Sequence, residues 1–359
     1  MQTITRGATA YTNSANEVLH VRGLELRMPT YEGVARILNG VELTVGEKNV
    51  LGLVGETGCG KTMTALAITG LIECPPAEIS YEQMSFQGEN LVEKSSEELR
   101  DIRARHIGVV FQDPTTNLNP VLSVGEQMTD AVMCRRGHGS ALTLSPAGRF
   151  LPSARRQRRQ AQELALAMLC RVGIDDAERR FKGYPHEFSG GMKQRVLIAM
   201  ALAGNPKLLI ADEPTTALDV SIEAQIINLV RELISEFNLS VLWVTHNLGV
   251  VWKLCSHVAV MYGGAVVERC ITDELFREPL HPYTVGLLKA LPTGQKSEAR
   301  LVAIPGIPPN PIRLPPGCRF HPRCPHAMAV CSETDPLLSE KRPGHVVACH
   351  LFADQGGTL

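Results

Sequence analysis

Eight residues, Gly55-Glu56-Thr57-Gly58-Cys59-Gly60-Lys61-Thr62, match G-x-x-x-x-G-K-[ST] at every fixed position. Glycines at that spacing let backbone N–H groups close around phosphate oxygens, while Lys61 reaches the outer phosphates and the Thr62 hydroxyl ligates Mg²⁺. Cys59 reads as a passive small residue placed where a reagent could alkylate it. A second half-site follows in "KLLIADEPTTALD", where an apolar run ends in Asp212 and Glu213. A carboxylate at a strand end can anchor a Mg²⁺-associated water, and its neighbour can orient or deprotonate an attacking water. Either motif alone has a bland reading, a Gly-rich turn or an acidic surface turn. Together they specify phosphoryl transfer to water.

The elements that must position these groups are legible around them. Val50–Val54 is a continuous apolar run of strand length, and a helical segment follows Thr62, so its N-terminal dipole faces the loop. Leu208–Ala211 is a second buried strand. "YPHEFSGGMKQRVLIAMAL" places Ser189, Gly190 and Gly191 at the start of a helix, again with free N–H groups suited to phosphate. A Ser-Gly-Gly before a helix is also a common N-cap, so this segment gains meaning only from its neighbours.

In order, these motifs resemble those of ATP-binding cassette (ABC) ATPases. Ser189 to Lys193 is similar to the family signature, "IGVVFQDP" places Gln112 as its Q-loop glutamine, "TTALD" gives Asp219 as its D-loop, and "SVLWVTH" ends at His246, similar to its switch histidine. The resemblance implies an α/β fold of the ABC-type P-loop class, a mixed sheet with helices on both faces plus an inserted helical subdomain. It implies that two cassettes stack head to tail with ATP between the phosphate loop of one and the signature of the other. Gly55 to Thr62 then hold the triphosphate, and Asp212 and Gln112 contact Mg²⁺ or its water. Glu213 is the general base, His246 meets the γ-phosphate, and Ser189 to Gly191 complete the partner's site. Tyr31 is expected to stack on adenine. Two departures stand out: Asn247 where the family usually has Asp, and Lys48-Asn49 inserted before the first motif strand.

Longer stretches, "FQDPTTNLNP", "ADEPTTALDV", "HPYTVGLLKALP" and "IPGIPPNPIRLPPGCRFHPRC", resemble ATPase subunits of oligopeptide/dipeptide importers. That subfamily implies a cassette over residues 1–290, a helical subdomain over 114–188 that grips the permease, and a C-terminal extension over 291–359. It implies membrane permease subunits and a second, related ATPase chain as partners, with an extracytoplasmic solute-binding protein acting indirectly. It also implies a peripheral location on the cytoplasmic face of the cell membrane, with peptides as cargo and nickel complexes or oligosaccharides as alternatives. A soluble cassette of DNA repair or translation, and an ATP-binding redox regulator without turnover, are the rival readings.

Composition bounds the rest. Lys plus Arg (36) balances Asp plus Glu (37), which disfavours nucleic acid as a partner. The polar N-terminus lacks a signal-peptide core, and no apolar run approaches the roughly 18–20 residues that span a bilayer. The Arg155–Arg159 run, without interleaved aromatics, reads as a solvated helix start.

The tail holds Cys318, Cys324, Cys331 and Cys349, four of the chain's ten cysteines. In a reducing compartment disulfides are disfavoured. None of the spacings is the C-x₂-C of zinc ribbons. Four thiolates on Pro-stiffened loops are compatible with a [4Fe–4S] centre, which the importer resemblance also implies; zinc, with His321, His326, His345 or His350 substituting, and free thiols are the alternatives. The other six cysteines are expected to be buried or half-buried packing residues.

Overall fold

Strands β1 (Glu17–Thr30) and β2 (Gly33–Gly46) form a long antiparallel hairpin. Leu24, Leu26, Leu38, Val41 and Leu43 line its buried face, with Leu26 directly opposite Leu38 and Val21 opposite Leu43. The computed structural model describes residues 17–135, 152–216, 218–291 and 303–353. The polar N-terminal stretch, residues 136–151 of the expected helical segment and Ala217 of "TTALD" lie outside them. Among the described residues the chain divides into two compact units. One takes in the chain up to Glu47, Leu53–Asn90, and everything from Ser256 onward; the other comprises Lys48–Gly52 and Leu91–Cys255.

In the first unit, the end of β3 (Val50–Val54) runs through the phosphate loop into α1 (Lys61–Ile68). Short strands β4 (Glu78–Ser80) and β5 (Gln83–Phe86) both pair with β1, and β6 (Glu89–Asn90) pairs with β5.

The second unit opens with α2 (Ser96–His106), started by a reciprocal Ser95–Glu98 capping box and exposing a polar surface throughout. Strand β7 (Ile107–Val110) follows, then α3 (Val124–Arg135), α4 (Pro152–Arg171) and α5 (Gly190–Leu202). Next come β8 (Leu208–Asp212), α6 (Val220–Phe237), β9 (Ser240–Thr245) and α7 (Leu248–Leu254). Strands β7, β8 and β9 are parallel neighbours, and β9 lies beside β3. Every residue of β8 and β9 is buried, the pattern of a parallel sheet covered on both faces rather than the alternation seen in β1. Helix α6 buries Ile226, Ile227, Leu229, Val230 and Leu233 along one stripe and ends at Asn238 in the left-handed region (φ 51°), a usual stop.

The inserted Lys48-Asn49 makes the turn into β3. Lys48 takes positive φ (57°), its N–H donates to Ser240 Oγ at 2.9 Å, and the Asn49 carbonyl accepts from Val241 N–H. The extra residues therefore contribute to strand pairing instead of bulging. The arginine run at the start of α4 is solvated as expected: Arg155 and Arg156 are exposed, Arg158 pairs with Asp130 at 3.0 Å, and Arg159 pairs with Glu163.

The first unit resumes with β10 (His257–Tyr262), β11 (Ala265–Ile271), α8 (Thr272–Arg277) and α9 (Pro282–Lys289). The cysteine-rich tail adds α10 (Ala329–Glu333), β12 (Ser339–Arg342) and β13 (His345–Val347). β13 pairs antiparallel with β11, and β12 with β13. Tyr262, Tyr283 and Phe320 form one aromatic cluster with ring centroids 4.6 to 5.4 Å apart, joining the tail to the rest of this unit.

Candidate functional site

In the first unit the phosphate loop is held by close backbone approaches. A Cβ at Gly55 would sit 2.2 Å from the Met261 carbonyl oxygen. One at Gly60, whose φ is 104°, would sit 2.8 Å from Leu38 and 3.2 Å from the Ile37 carbonyl. Both positions demand glycine. Gly60 caps α1, and the buried Lys61 Nζ donates to the carbonyls of Gly55 at 2.9 Å and Glu56 at 3.0 Å. Thr57, Gly58 and Thr62 are exposed. Cys59 is buried, and that burial pushes its thiol up despite Lys61 Nζ 3.8 Å away. It is therefore a poor target for alkylation, against the sequence expectation. Tyr31 stands fully exposed in the turn between β1 and β2.

In the second unit the buried Asp212 ends β8, and Glu213 follows with φ 45°. A glutamate in the left-handed region is strained, and the Glu213 N–H bond to the Val244 carbonyl at 2.9 Å holds it there. Its carboxylate is gripped from three directions. Gln112 Nε2 donates at 3.1 Å and Thr216 Oγ1 at 2.9 Å, while His246 Nδ1 lies 3.0 Å from Oε1. The geometry thus brings together Gln112, Glu213 and His246, chosen from three separate segments. Ser189 N-caps α5, its Oγ accepting from Met192 N–H at 3.3 Å. Ser189 and Gly190 are exposed, and a Cβ at Gly191 would meet Ile222 at 2.7 Å. Asp219 is exposed and occupies the N-cap position of α6 without a side-chain cap bond.

The tail cysteines lie close enough for their charges to interact. The Cys318 N–H donates to the Cys331 carbonyl at 2.9 Å. Burial and then the charges of Cys318, Cys324 and Cys331 push the Cys349 thiol up to about 11. Burial likewise raises Cys318 and Cys324, with Cys331 adding to both. As placed, however, no three His, Cys, Asp or Glu side chains among the described residues form a group that could hold a metal ion. Of the other six cysteines, Cys59, Cys255 and Cys270 are buried, but Cys74, Cys134 and Cys170 are exposed, which corrects the expectation that all six pack inside.

Residues 38–216 match the family model for ABC transporters, and residues 267–331 match the C-terminal region of oligopeptide/dipeptide transporters. The oligopeptide transport ATP-binding protein OppD of Salmonella typhimurium is 43% identical over 95% of this chain and 96% of its own. AppD of Bacillus subtilis is 42% identical over 89% of this chain and 92% of its own. The chain belongs to the ATP-binding protein family of oligopeptide/dipeptide ABC transporters. It is an ABC-type ATPase with the ABC P-loop fold. The dimeric cassette MJ0796, solved with ADP and Pi, superposes with a TM-score of 0.58 at 25% identity, covering 71% of this chain and 98% of that one.

Within this ABC ATPase the unusual Asn247 has a local reason. It N-caps α7, its Oδ1 accepting from Gly249 N–H at 3.0 Å, while Nδ2 points at Glu223 Oε1 at 3.5 Å. Glu223 in turn accepts from Thr215 Oγ1 at 3.0 Å. Aspartate could keep the cap but would set a second carboxylate against Glu223; the amide offers a donor instead.

Sequence reading missed two groups of the ABC ATPase. Arg323, between two cysteines, forms a bidentate pair with Glu56 of the phosphate loop. Glu268 and His345, both fully buried, meet at 2.8 Å. The first carries no local signal. The second had one: Glu268 interrupts the apolar strand "AVVERCI", and a charge there needs a buried partner.

Proposed function

We propose that this ABC ATPase is the motor of a di- or oligopeptide importer, acting peripherally on the cytoplasmic face of the membrane. It engages permease subunits and pairs with a second, related cassette chain. The observation that carries the hydrolytic role is the Glu213 carboxylate held by Gln112, Thr216 and His246. Gly55 to Thr62 bind the triphosphate and Tyr31 stacks on adenine. Thr62, Gln112 and Asp212 would hold Mg²⁺, which supplies charge neutralisation at the phosphates. Glu213 takes the proton of the attacking water as the bond between the γ-phosphorus and its bridging oxygen breaks, leaving ADP and phosphate. Lys61 and the signature residues Ser189 to Gly191 of the partner cassette stabilise developing charge, with Asp219 lining the junction. Among the described residues no helix is long and apolar enough to cross a membrane.

Peptide cargo is supported by the C-terminal region at 267–331 and by the names of the relatives. With permease subunits, the partner cassette and the binding protein reconstituted in vesicles, di- or oligopeptides should raise ATP hydrolysis several-fold over basal. Stimulation by a nickel complex or an oligosaccharide in their place would reassign the cargo.

The same reading gives Cys318, Cys324, Cys331 and Cys349 a [4Fe–4S] cluster, in preference to Zn²⁺. Four cysteines are the ligand count such a cluster takes, and Cys318, Cys324 and Cys331 fall inside the matched C-terminal region. Bound there, it would supply cross-links for a module with little regular structure. Protein purified without oxygen should carry about four irons and four sulfides per chain, lost in Cys324→Ser. Stoichiometric zinc, or no metal, would remove the cluster from the proposal while leaving the ATPase intact.

A further inference from the structure

Glu56 puts a carboxylate in a loop whose task is to receive a polyanion. Left free, it would repel phosphate oxygens or compete for Lys61. Instead it is fixed at both ends. Its backbone N–H donates to Tyr283 Oη at 2.8 Å, and its carboxylate receives two guanidinium N–H groups of Arg323, at 2.7 Å and 3.1 Å. Arg323 is itself buried and held on every side: Nε donates to the Pro305 carbonyl at 2.8 Å, Nη2 to the Ile304 carbonyl and Nη1 to Tyr262 Oη, each at 3.3 Å. Its guanidinium also lies 5.8 Å from the centre of the Tyr262 ring. A planar fork so anchored fixes the direction of the Glu56 carboxylate, which an ammonium could not do. The Glu56 carbonyl is one of the two carbonyls that accept from Lys61 Nζ, so the orientation of this peptide bears directly on the lysine.

We propose that Arg323 is a positioning residue for nucleotide binding: from the cysteine-rich tail it clamps Glu56, keeping the phosphate loop open and its lysine aimed for the triphosphate. Its donors are taken by Glu56, Pro305, Ile304 and Tyr262, so it acts through Lys61. The lysine's hold on the outer phosphates precedes hydrolysis as well as accompanying it, so the loss of Arg323 falls on affinity more than on kcat. The proposal rests on the assignment of Gly55 to Thr62 to the nucleotide phosphates. Lys61→Ala tests that assignment separately, since unaltered MgATP affinity in that variant would remove it.

The experiment is MgATP titration of the full chain by calorimetry, with steady-state hydrolysis and a thermal midpoint measured alongside. Arg323→Ala should weaken MgATP binding and raise KM about tenfold, the worth of one charge-assisted hydrogen bond, with kcat within about twofold of wild type. Arg323→Lys keeps the charge without the fork and should fall between the two; it serves as the test if the alanine variant does not fold. In a Glu56→Gln background the penalty of Arg323→Ala should shrink to less than about threefold. Affinity unchanged in both Arg323 variants would overturn the proposal. So would an undiminished penalty in the Glu56→Gln background, which would make Arg323 only an anchor for Pro305 and Ile304.

Discussion

Glu213→Gln lowers steady-state ATP hydrolysis by at least about a hundredfold and leaves ATP affinity near wild type. The amide is almost isosteric with the carboxylate but cannot accept a proton from water, so the chemical step is lost while the nucleotide contacts stay. The backbone cost is nearly unchanged, because Glu and Gln pay alike for the left-handed conformation at φ 45°, and the N–H bond to the Val244 carbonyl does not involve the side chain. Gln112 and Thr216 still find an amide oxygen to which they can donate. Mixed with its partner cassette, the ATP-bound variant should accumulate as a closed dimer, visible by size-exclusion chromatography with MgATP. Steady-state hydrolysis equal to wild type would sink the general-base assignment.

The second large effect is on stability. His345→Leu should cost about 3–5 kcal/mol, read as a shift in the denaturation midpoint, because it leaves the Glu268 carboxylate buried without its main partner. Glu268 sits inside β11 and is fully buried, as is His345 on β13. The carboxylate also accepts backbone N–H groups from Leu280 at 2.7 Å and His281 at 2.9 Å, so one charge ties three segments together. Glu274 lies 3.5 Å from the other imidazole nitrogen. Burial pushes the Glu268 carboxyl up, but hydrogen bonds from His345, Leu280 and His281 outweigh it and hold the group below its ordinary 4.5. A carboxyl lowered in the folded state contributes stability that is complete above pH 4.5 and fades as the pH falls through the folded value. Without His345 that acid limb should move to higher pH. His345→Gln, which can still donate, should recover part of the loss. A midpoint unmoved in His345→Leu would show that the pair holds nothing together. Neighbouring His281 behaves differently: burial draws it down to about 4, and its Nδ1 accepts from Tyr283 N–H as a neutral ring does.

Much of the site could be read from the chain because phosphate chemistry needs contiguous residues. A loop closing on an anion takes its N–H groups from successive positions, so Gly55 to Thr62 had to appear as one word. Asp212, Glu213, Gln112 and His246 were legible for a related reason: each ends or follows an apolar strand, and the ends of β8 and β9 and the loop after β7 lie side by side. What was hidden depends on tertiary contact. Arg323 and Glu56 are 267 positions apart, and neither has a sequence neighbour that betrays the pairing. The exposure of Cys134 and Cys170 was also hidden, since α3 and α4 each leave one face uncovered and a cysteine can lie on either. The importance of Glu268 was half-legible, as an anomaly without a visible partner.

The tail strands have one more consequence. The sheet that contains β10 and β11 terminates in β12, whose four residues are Ser-Glu-Lys-Arg, rather than in β11, which reads Ala-Val-Val-Glu-Arg-Cys-Ile. A short, charged outer strand gives little template for another chain, whereas an apolar strand with unpaired N–H and C=O groups invites it. A chain shortened before β12 would lose β13 and His345 as well and present β11 as a sticky rim, so it should be both less stable and more prone to inclusion bodies than the full chain.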